Sequence, residues 1–199
     1  MLKALLLSVL VLVGCVSAPD GVVPITLHLN GQEMYATGTV IHSSPERGTY
    51  ILTAGHIMGP TQPLPPWRGA SWDVDGRPAQ FVAYELSVTD MGPSDIGVLR
   101  LPKSGRDAVA IGRVDLQDYP DLMVRTLRGE KTATLKGGRL SMRPNVVPGD
   151  SGSGVFLADT LCGVVAAIDG DDEALFIRYR VLAAFLDANG LDWLLLASD

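Results

Sequence analysis

Gly149-Asp150-Ser151-Gly152-Ser153-Gly154 is the stretch of this 199-residue sequence that says most about its fold. Glycine permits a positive φ, so the main-chain N–H groups of such a loop can converge on one point. Ser151 could then act as a nucleophile, with the N–H groups of Gly149 and Ser151 as an oxyanion hole. The apolar run Val155–Leu157 follows and would fix the loop to a core strand. Because loops are often rich in Gly and Ser, the motif alone fits a surface turn equally well.

A serine nucleophile needs a histidine that accepts its proton and a carboxylate that orients this histidine. His56 ends Thr53-Ala54-Gly55-His56, directly after the short apolar strand predicted at Tyr50–Thr53. Asp95 precedes the apolar run Ile96–Leu101, where a carboxylate entering the core needs a hydrogen-bond partner. The three candidates occur in the order His56, Asp95, Ser151, which is the order of the chymotrypsin group rather than of subtilisins or α/β-hydrolases.

Two further histidines and a second aspartate are weaker candidates. His28 and His42 lack the small neighbours that surround His56. Asp90 is followed by the turn Met91-Gly92-Pro93 instead of a strand. These residues are therefore assigned to surface or structural positions.

The three motifs resemble those of trypsin-like serine peptidases of bacterial type. Thr53-Ala54-Gly55-His56 is similar to the family's Thr-Ala-Ala/Gly-His-Cys element, and Asp95-Ile96-Gly97-Val98-Leu99 to its Asp-Ile-Ala-Leu-Leu element. Gly149–Ser153 is similar to Gly-Asp-Ser-Gly-Gly, with Ser153 in place of a glycine. The resemblance spans about residues 23–188. It implies an all-β, chymotrypsin-like fold of two six-stranded antiparallel Greek-key barrels, with the triad between them.

The pattern of strands agrees with that expectation. Short apolar or alternating runs separated by Gly- and Pro-rich turns predict an N-terminal barrel at about 23–102 and a C-terminal barrel at about 120–181. A weakly patterned linker, near 103–121, separates them. The spacing of apolar residues predicts one helix at 182–188, ending at Asn189-Gly190. The peptidase domain is thus expected over residues 23–199.

Two departures from the family bear on the active loop. Ile57 stands where a cysteine usually follows the catalytic histidine, so the disulfide of animal members is absent. No internal activation site is visible, although family zymogens pair a newly freed N-terminus with the residue corresponding to Asp150. Asp150 must therefore find another donor. If it does not, the chain could instead be an envelope-anchored binding module with the protease fold and little or no activity.

The resemblance also locates a primary specificity pocket. Its base would fall near Asn145 and its wall at Ala166, Ala167 and Ile168. No aspartate lies at the base, so a preference for Arg or Lys is not supported. Ile168, where many members have glycine, would narrow the pocket and favour small or medium uncharged side chains.

The N-terminus predicts export. Lys3 precedes the largely apolar run Ala4–Val13, which is too short to span a membrane and is typical of a signal peptide. Leu12-Val13-Gly14-Cys15 resembles a bacterial lipobox, so we expect residues 1–22 to be a lipoprotein signal and tether, with lipidation at Cys15. Cleavage near Ala18 by an ordinary secretory route is the alternative. Either route would place the protein outside the cytoplasm, and lipidation at Cys15 would also tether it to the cell envelope.

The composition of the chain limits which classes of binding partner are expected. The net charge is −6 and no basic stretch is present, which disfavours nucleic-acid binding. The three His and two Cys show no zinc-type spacing, so no metal and no cofactor are expected. The predicted partner is a protein or peptide substrate, with membrane contact only through the anchor. Esterase activity would be a side reaction at most, and the oligomeric state is left open.

Overall fold

The computed structural model describes residues 19–61, 63–102, 105–114, 116, 118–169 and 173–195, without the side chains of residues 168 and 169. The first half of the chain forms six antiparallel strands. Their bounds are β1 (Val22–Leu29), β2 (Gln32–Ser44), β3 (Gly48–Thr53), β4 (Ser71–Val74), β5 (Arg77–Thr89) and β6 (Gly92–Leu101).

The second half repeats this count and adds a helix. The bounds are β7 (Tyr119–Thr126), β8 (Gly129–Lys136), β9 (Arg139–Arg143), β10 (Gly154–Leu157), β11 (Thr160–Asp169), β12 (Glu173–Arg178) and α1 (Tyr179–Ala188).

The helix begins three residues before its predicted start, and β12 ends at Arg178 rather than Val181. Arg178 is still extended, whereas Val181 and Leu182 already lie on the buried face of α1 with Phe185. The end of the predicted strand, residues 179–181, therefore belongs to the first turn of the helix. A short 3₁₀ helix, Asp192–Leu195, follows it.

Both sets of strands close into barrels with the same connectivity. The first barrel has the order β1-β2-β3-β6-β5-β4, and the second, read from its own first strand, has β7-β8-β9-β12-β11-β10. In each, the third strand pairs with the sixth, which is a Greek-key crossover. The prediction of an all-β fold with two six-stranded antiparallel barrels and a short C-terminal helix is confirmed.

Turn chemistry and side-chain alternation account for much of this register. Asp75 and Gly76 join β4 to β5, and both have positive φ angles (54° and 67°), as a tight hairpin turn requires. Along β8, buried and exposed residues alternate, with Lys131, Ala133 and Leu135 directed inward. This alternation is what a strand with one face on a barrel core imposes.

Three apolar clusters form the core. One fills each barrel, around Ile25 and Leu99 in the first and around Leu135 and Phe176 in the second. The third joins the two barrels to α1 and includes Phe185 of this helix, which is 1% exposed. Because this third cluster includes residues from both barrels, their relative placement is set by apolar packing.

No helix among the described residues is long and apolar enough to cross a membrane. The last four residues of the predicted signal and tether, 19–22, are described, and Val22 begins β1. Cys15, Ala18 and the other residues of that segment precede Pro19, the first described residue. Their predicted role lies outside the described part of the chain.

Candidate active site

His56, just after the end of β3, meets Asp95, near the start of β6. A 3₁₀ turn at Gly55–Ile57 follows β3 and places His56 at its centre. The Nδ1 atom of His56 lies 2.9 Å from Oδ2 of Asp95, and the main-chain N–H of His56 donates to Oδ1 at 2.8 Å. The Asp95 side chain is 10% exposed and that of His56 is 38% exposed. One carboxylate thus fixes both the backbone and the ring, and leaves Nε2 directed away from it.

Gly55 explains why a small residue precedes this histidine. A Cβ at that position would lie 2.8 Å from the main-chain N of Ile96 and would overlap the carbonyl oxygen of Glu85. The turn is therefore packed directly against the backbones of β5 and β6. Any side chain at Gly55 would push His56 away from Asp95.

Ser151 is placed by both barrels. Its carbonyl accepts the N–H of Thr37 on β2 at 2.9 Å, and the Thr37 hydroxyl donates to the carbonyl of Gly149 at 2.6 Å. On the other side, the N–H of Gly152 donates to Val165 of β11 at 2.8 Å. Contacts from β2 and from β11 thus hold the same four-residue loop. Its position depends on the docking of the two barrels.

His56, Asp95 and Ser151 border one cavity of about 580 Å³. Ala167 of the predicted pocket wall borders it too, together with a set of mostly apolar side chains that includes Leu86, Val88, Pro93, Pro148 and Leu175. The structure therefore brings together the three residues singled out from the sequence. Cavities of this size and lining are typical of ligand sites.

The other predicted pocket residues lie differently. Ala166 is fully buried, and Asn145 is exposed with its carbonyl accepting from Lys131 at 2.8 Å. Neither is among the residues that border the cavity. Ile168 pairs through its backbone with Ala174, and its side chain is outside the described set. The assignment of these positions to a specificity pocket stays a prediction.

The predicted oxyanion loop has the backbone freedom expected of it. Gly149 has a φ of 95° and Gly152 a φ of 87°, both in the region that favours glycine. The guanidinium of Arg128 donates to the carbonyl of Pro148 from Nη1 and Nη2, each at 3.4 Å. Because a trans peptide points its C=O and N–H in opposite directions, the N–H of Gly149 is turned away from Arg128.

Asp150 has an internal partner in Lys131. The ammonium Nζ lies 2.5 Å from Oδ2 of Asp150, and both side chains are almost fully buried, at 5% and 2% exposed. The same Oδ2 accepts the N–H of Val147 at 3.0 Å. The Asp150 carbonyl also accepts the N–H of Ser153 at 3.0 Å. The carboxylate next to Ser151 is thus held without a chain terminus.

Sequence reasoning missed Lys131 and Thr37. In the alternating strand β8, Lys131 lies on the same inward-facing side as Ala133 and Leu135. A lysine at such a position needs a buried partner. Thr37 is the second residue in the buried stretch of β2, residues 36–41. The inward-facing position of Lys131 could have been recognised from the alternation of the sequence. Nothing in the local sequence distinguishes Thr37 from an ordinary strand threonine.

Cys162 is a buried thiol rather than a site residue. Burial raises the pKa of its thiol to about 11, and the sulfur donates to the carbonyl of Val155 at 3.2 Å. Among the described residues, no group of three or more His, Cys, Asp or Glu is arranged to hold a metal ion.

The chain matches no protein-family model and no curated protein sequence. Its structure is similar to the Rv3671c protease of M. tuberculosis in its active form, with a TM-score of 0.63, 18% identity, and coverage of 86% of this chain and 81% of the other. It is also similar to the HtrA-type protease AlgW with tripeptide, with a TM-score of 0.60, 18% identity, and coverage of 89% of this chain and 62% of the other. A serine endoprotease of Yersinia pestis is similar with a TM-score of 0.57, 16% identity, and coverage of 90% of this chain and 64% of the other. At these identities the likeness establishes the chymotrypsin-like fold.

Proposed function

We propose that this chain is a serine endopeptidase in which Ser151 is the nucleophile, His56 the general acid and base, and Asp95 the orienting carboxylate. The observation that carries the proposal is the 2.9 Å contact between His56 Nδ1 and Asp95 inside the cavity that Ser151 also borders. The similarity of the fold to three proteases supports the reaction class.

The chemistry follows from the placement of the ring nitrogens. With Nδ1 engaged by Asp95, the Nε2 atom of His56 is the one available to accept the Ser151 proton as Oγ attacks a peptide carbonyl. The N–H groups of Gly149 and Ser151 would stabilise the negative oxygen of the tetrahedral intermediate. His56 then protonates the leaving amine, and water hydrolyses the resulting acyl-enzyme by the same steps in reverse. None of these steps requires a cofactor.

The Lys131–Asp150 pair favours turnover over the binding-module alternative. The sequence left Asp150 without a known donor, and that gap was the main reason to consider an inactive protein. A buried ammonium 2.5 Å from the carboxylate supplies the missing charge from within the folded chain. We therefore infer that the loop is held in its active arrangement once both barrels have folded and docked, without cleavage of the chain.

The substrate class follows from the cavity lining. Leu86, Val88 and Leu175 present apolar surface beside Ser151, and Val88 is 88% exposed. Burying such surface favours uncharged, apolar side chains in a bound polypeptide. We propose a preference for uncharged residues on the acyl side of the cleaved bond, where the predicted pocket wall includes Ala167.

Fluorophosphonate labelling tests the nucleophile directly. Wild type is expected to label at Ser151, and Ser151→Ala is expected not to label while keeping its cooperative unfolding transition. Ser141→Ala, at an exposed position of β9, is the matched control and should label like wild type. Equal labelling of wild type and Ser151→Ala, or no labelling of folded wild type, contradicts the proposal. Labelling without cleavage of casein or a peptide library would favour the binding module.

We also propose that residues 1–22 act as a lipoprotein signal and tether, with lipid attached at Cys15 and the catalytic domain outside the cytoplasm. The lipobox-like sequence supports this, and the first barrel begins with β1 at Val22. Mass spectrometry of the mature N-terminus should find a lipidated Cys15, and Cys15→Ala should move the protein to the soluble fraction. An unmodified N-terminus near Ala18 would establish ordinary secretion instead.

A further inference from the structure

A second cavity, of about 420 Å³, adjoins the active loop and is not used by the mechanism above. We call it the Tyr35–Arg128 cleft. Its lining combines apolar side chains, one guanidinium and the backbone of the loop, and includes Met34, Tyr35, Leu127, Arg128, Pro148 and Gly149.

The cleft adjoins the cavity of the active site. Pro148 borders both cavities, and Gly149, whose N–H is proposed for the oxyanion hole, borders the cleft. Thr37, which binds Ser151 and Gly149, follows Tyr35 by two residues on β2. A polypeptide with its reacting carbonyl at Ser151 can therefore occupy the site cavity and this cleft at once.

The cleft offers apolar surface that the fold itself leaves uncovered. Tyr35 is 65% exposed and Met34 is 45% exposed, although both are large side chains on a regular strand. The Tyr35 hydroxyl donates to Glu33 at 2.6 Å, which orients the ring by its polar end. An apolar side chain placed on this ring and on Met34 would remove their surface from water.

The cleft also presents one exposed guanidinium, that of Arg128. Lys131 and Arg128 both approach Asp150, but Lys131 Nζ is 2.5 Å from one carboxylate oxygen while Arg128 Nη1 is 3.7 Å from the other. The two cations thus share a single carboxylate, and the closer one is the buried Lys131. The Arg128 side chain remains 62% exposed, and part of its charge is available to an anion from outside.

We propose that the Tyr35–Arg128 cleft binds the substrate segment that follows the cleaved bond, and that it selects an apolar side chain next to a carboxylate. This inference rests on the proposed function, in which the residue before the bond lies on the Ala167 side of Ser151. The carboxylate could belong to an Asp or Glu side chain or to the C-terminus of a short substrate. Both offer the same planar anion to the guanidinium fork of Arg128.

Quenched fluorescent peptides that are identical up to the cleaved bond test the selectivity. Four peptides carry leucine after the bond, followed by Glu or Gln, with either a free or an amidated C-terminus two residues further on. We expect kcat/KM to be about two- to fivefold higher for each peptide with an added carboxylate, since a partly exposed ion pair contributes at this level. The Glu arm and the free-terminus arm identify which source of carboxylate is preferred.

Two variants connect this selectivity to the cleft. Arg128→Gln should bring the Glu-to-Gln ratio of kcat/KM to about one, whereas Arg77→Gln, an exposed arginine on β5, should leave the ratio unchanged. Tyr35→Ala should lower kcat/KM for peptides with leucine after the bond more than for peptides with glycine there. Leu64→Ala, another exposed apolar side chain, is its control.

The ratio separates this inference from the proposed function. Because it compares two substrates of the same variant, a general loss of activity does not change it. If the fluorophosphonate labels wild type but the Glu-to-Gln ratio of kcat/KM of wild type is near one, the proposed selectivity of the cleft is wrong, whereas Ser151 remains the nucleophile. A ratio that responds only to a carboxylate placed before the bond would overturn the assignment of the cleft to the leaving segment. Absence of labelling would refute the proposed function itself.

Discussion

Replacing Lys131 with methionine should both destabilise the protein and disable the active loop. Removing one partner of a buried ion pair typically costs about 3–5 kcal/mol, because the other charge stays buried without compensation. Here the N–H of Val147 at 3.0 Å and Arg128 at 3.7 Å remain near Asp150, so we expect a loss of about 3 kcal/mol. If the loop supplies the oxyanion hole, kcat should also fall by about 10²–10³-fold.

Urea denaturation and peptide hydrolysis measure these two effects separately. Lys136→Met, an exposed lysine on the same strand, should stay within about 0.5 kcal/mol of wild type and keep its activity. The double variant Lys131→Met with Asp150→Asn buries no charge and should recover at least half of the lost stability. If Lys131→Met alone unfolds at the wild-type urea midpoint, or Lys136→Met is destabilised as much, the reasoning is refuted.

Four further outcomes are expected. Asp95→Asn should lower kcat by about 10⁴-fold with little change in folding, measured by hydrolysis and thermal melts, because an amide no longer enforces the reactive tautomer. Gly152→Ala should cost about 2–5 kcal/mol in urea unfolding, since its φ is 87° and a Cβ would overlap the carbonyl of Thr37. Ser153→Ala should leave the free energy of unfolding unchanged or raise it by up to about 1 kcal/mol, because this fully buried hydroxyl has no partner among the described residues. Cys162 should resist alkylation at pH 8 until the protein unfolds, as peptide mapping can show, since burial raises its thiol pKa to about 11. The stability that this raised pKa contributes is complete below the thiol's ordinary pKa of 9.0 and is lost as pH rises through about 11.

Most strands were predictable because their determinants are local, whereas the two-barrel arrangement was implied by the resemblance of three motifs to those of trypsin-like peptidases. Apolar or alternating runs between Gly- and Pro-rich turns predicted most strands, and the turn at Asp75 and Gly76 has the positive φ angles that such a hairpin requires. The start of α1 was misplaced because Tyr179 and Val181 alternate with Arg178 and Arg180, as in a strand. Periodicity alone cannot separate a strand end from a first helical turn over so few residues. The residue order His56, Asp95, Ser151 then indicated a chemistry that the cavity is consistent with.

The sequence by itself determined which residues could react and which faces of the strands would be buried. Only the tertiary structure decided what holds them in place. Thr37 and Gly149 lie 112 positions apart, and Lys131 on β8 meets Asp150 in the loop before β10. Alternation says that Lys131 points inward but not which carboxylate it meets, because that pairing exists only after the barrel has closed. The loop of Ser151 was visible as a motif, whereas its partners on β2, β8 and β11 follow from barrel closure and docking.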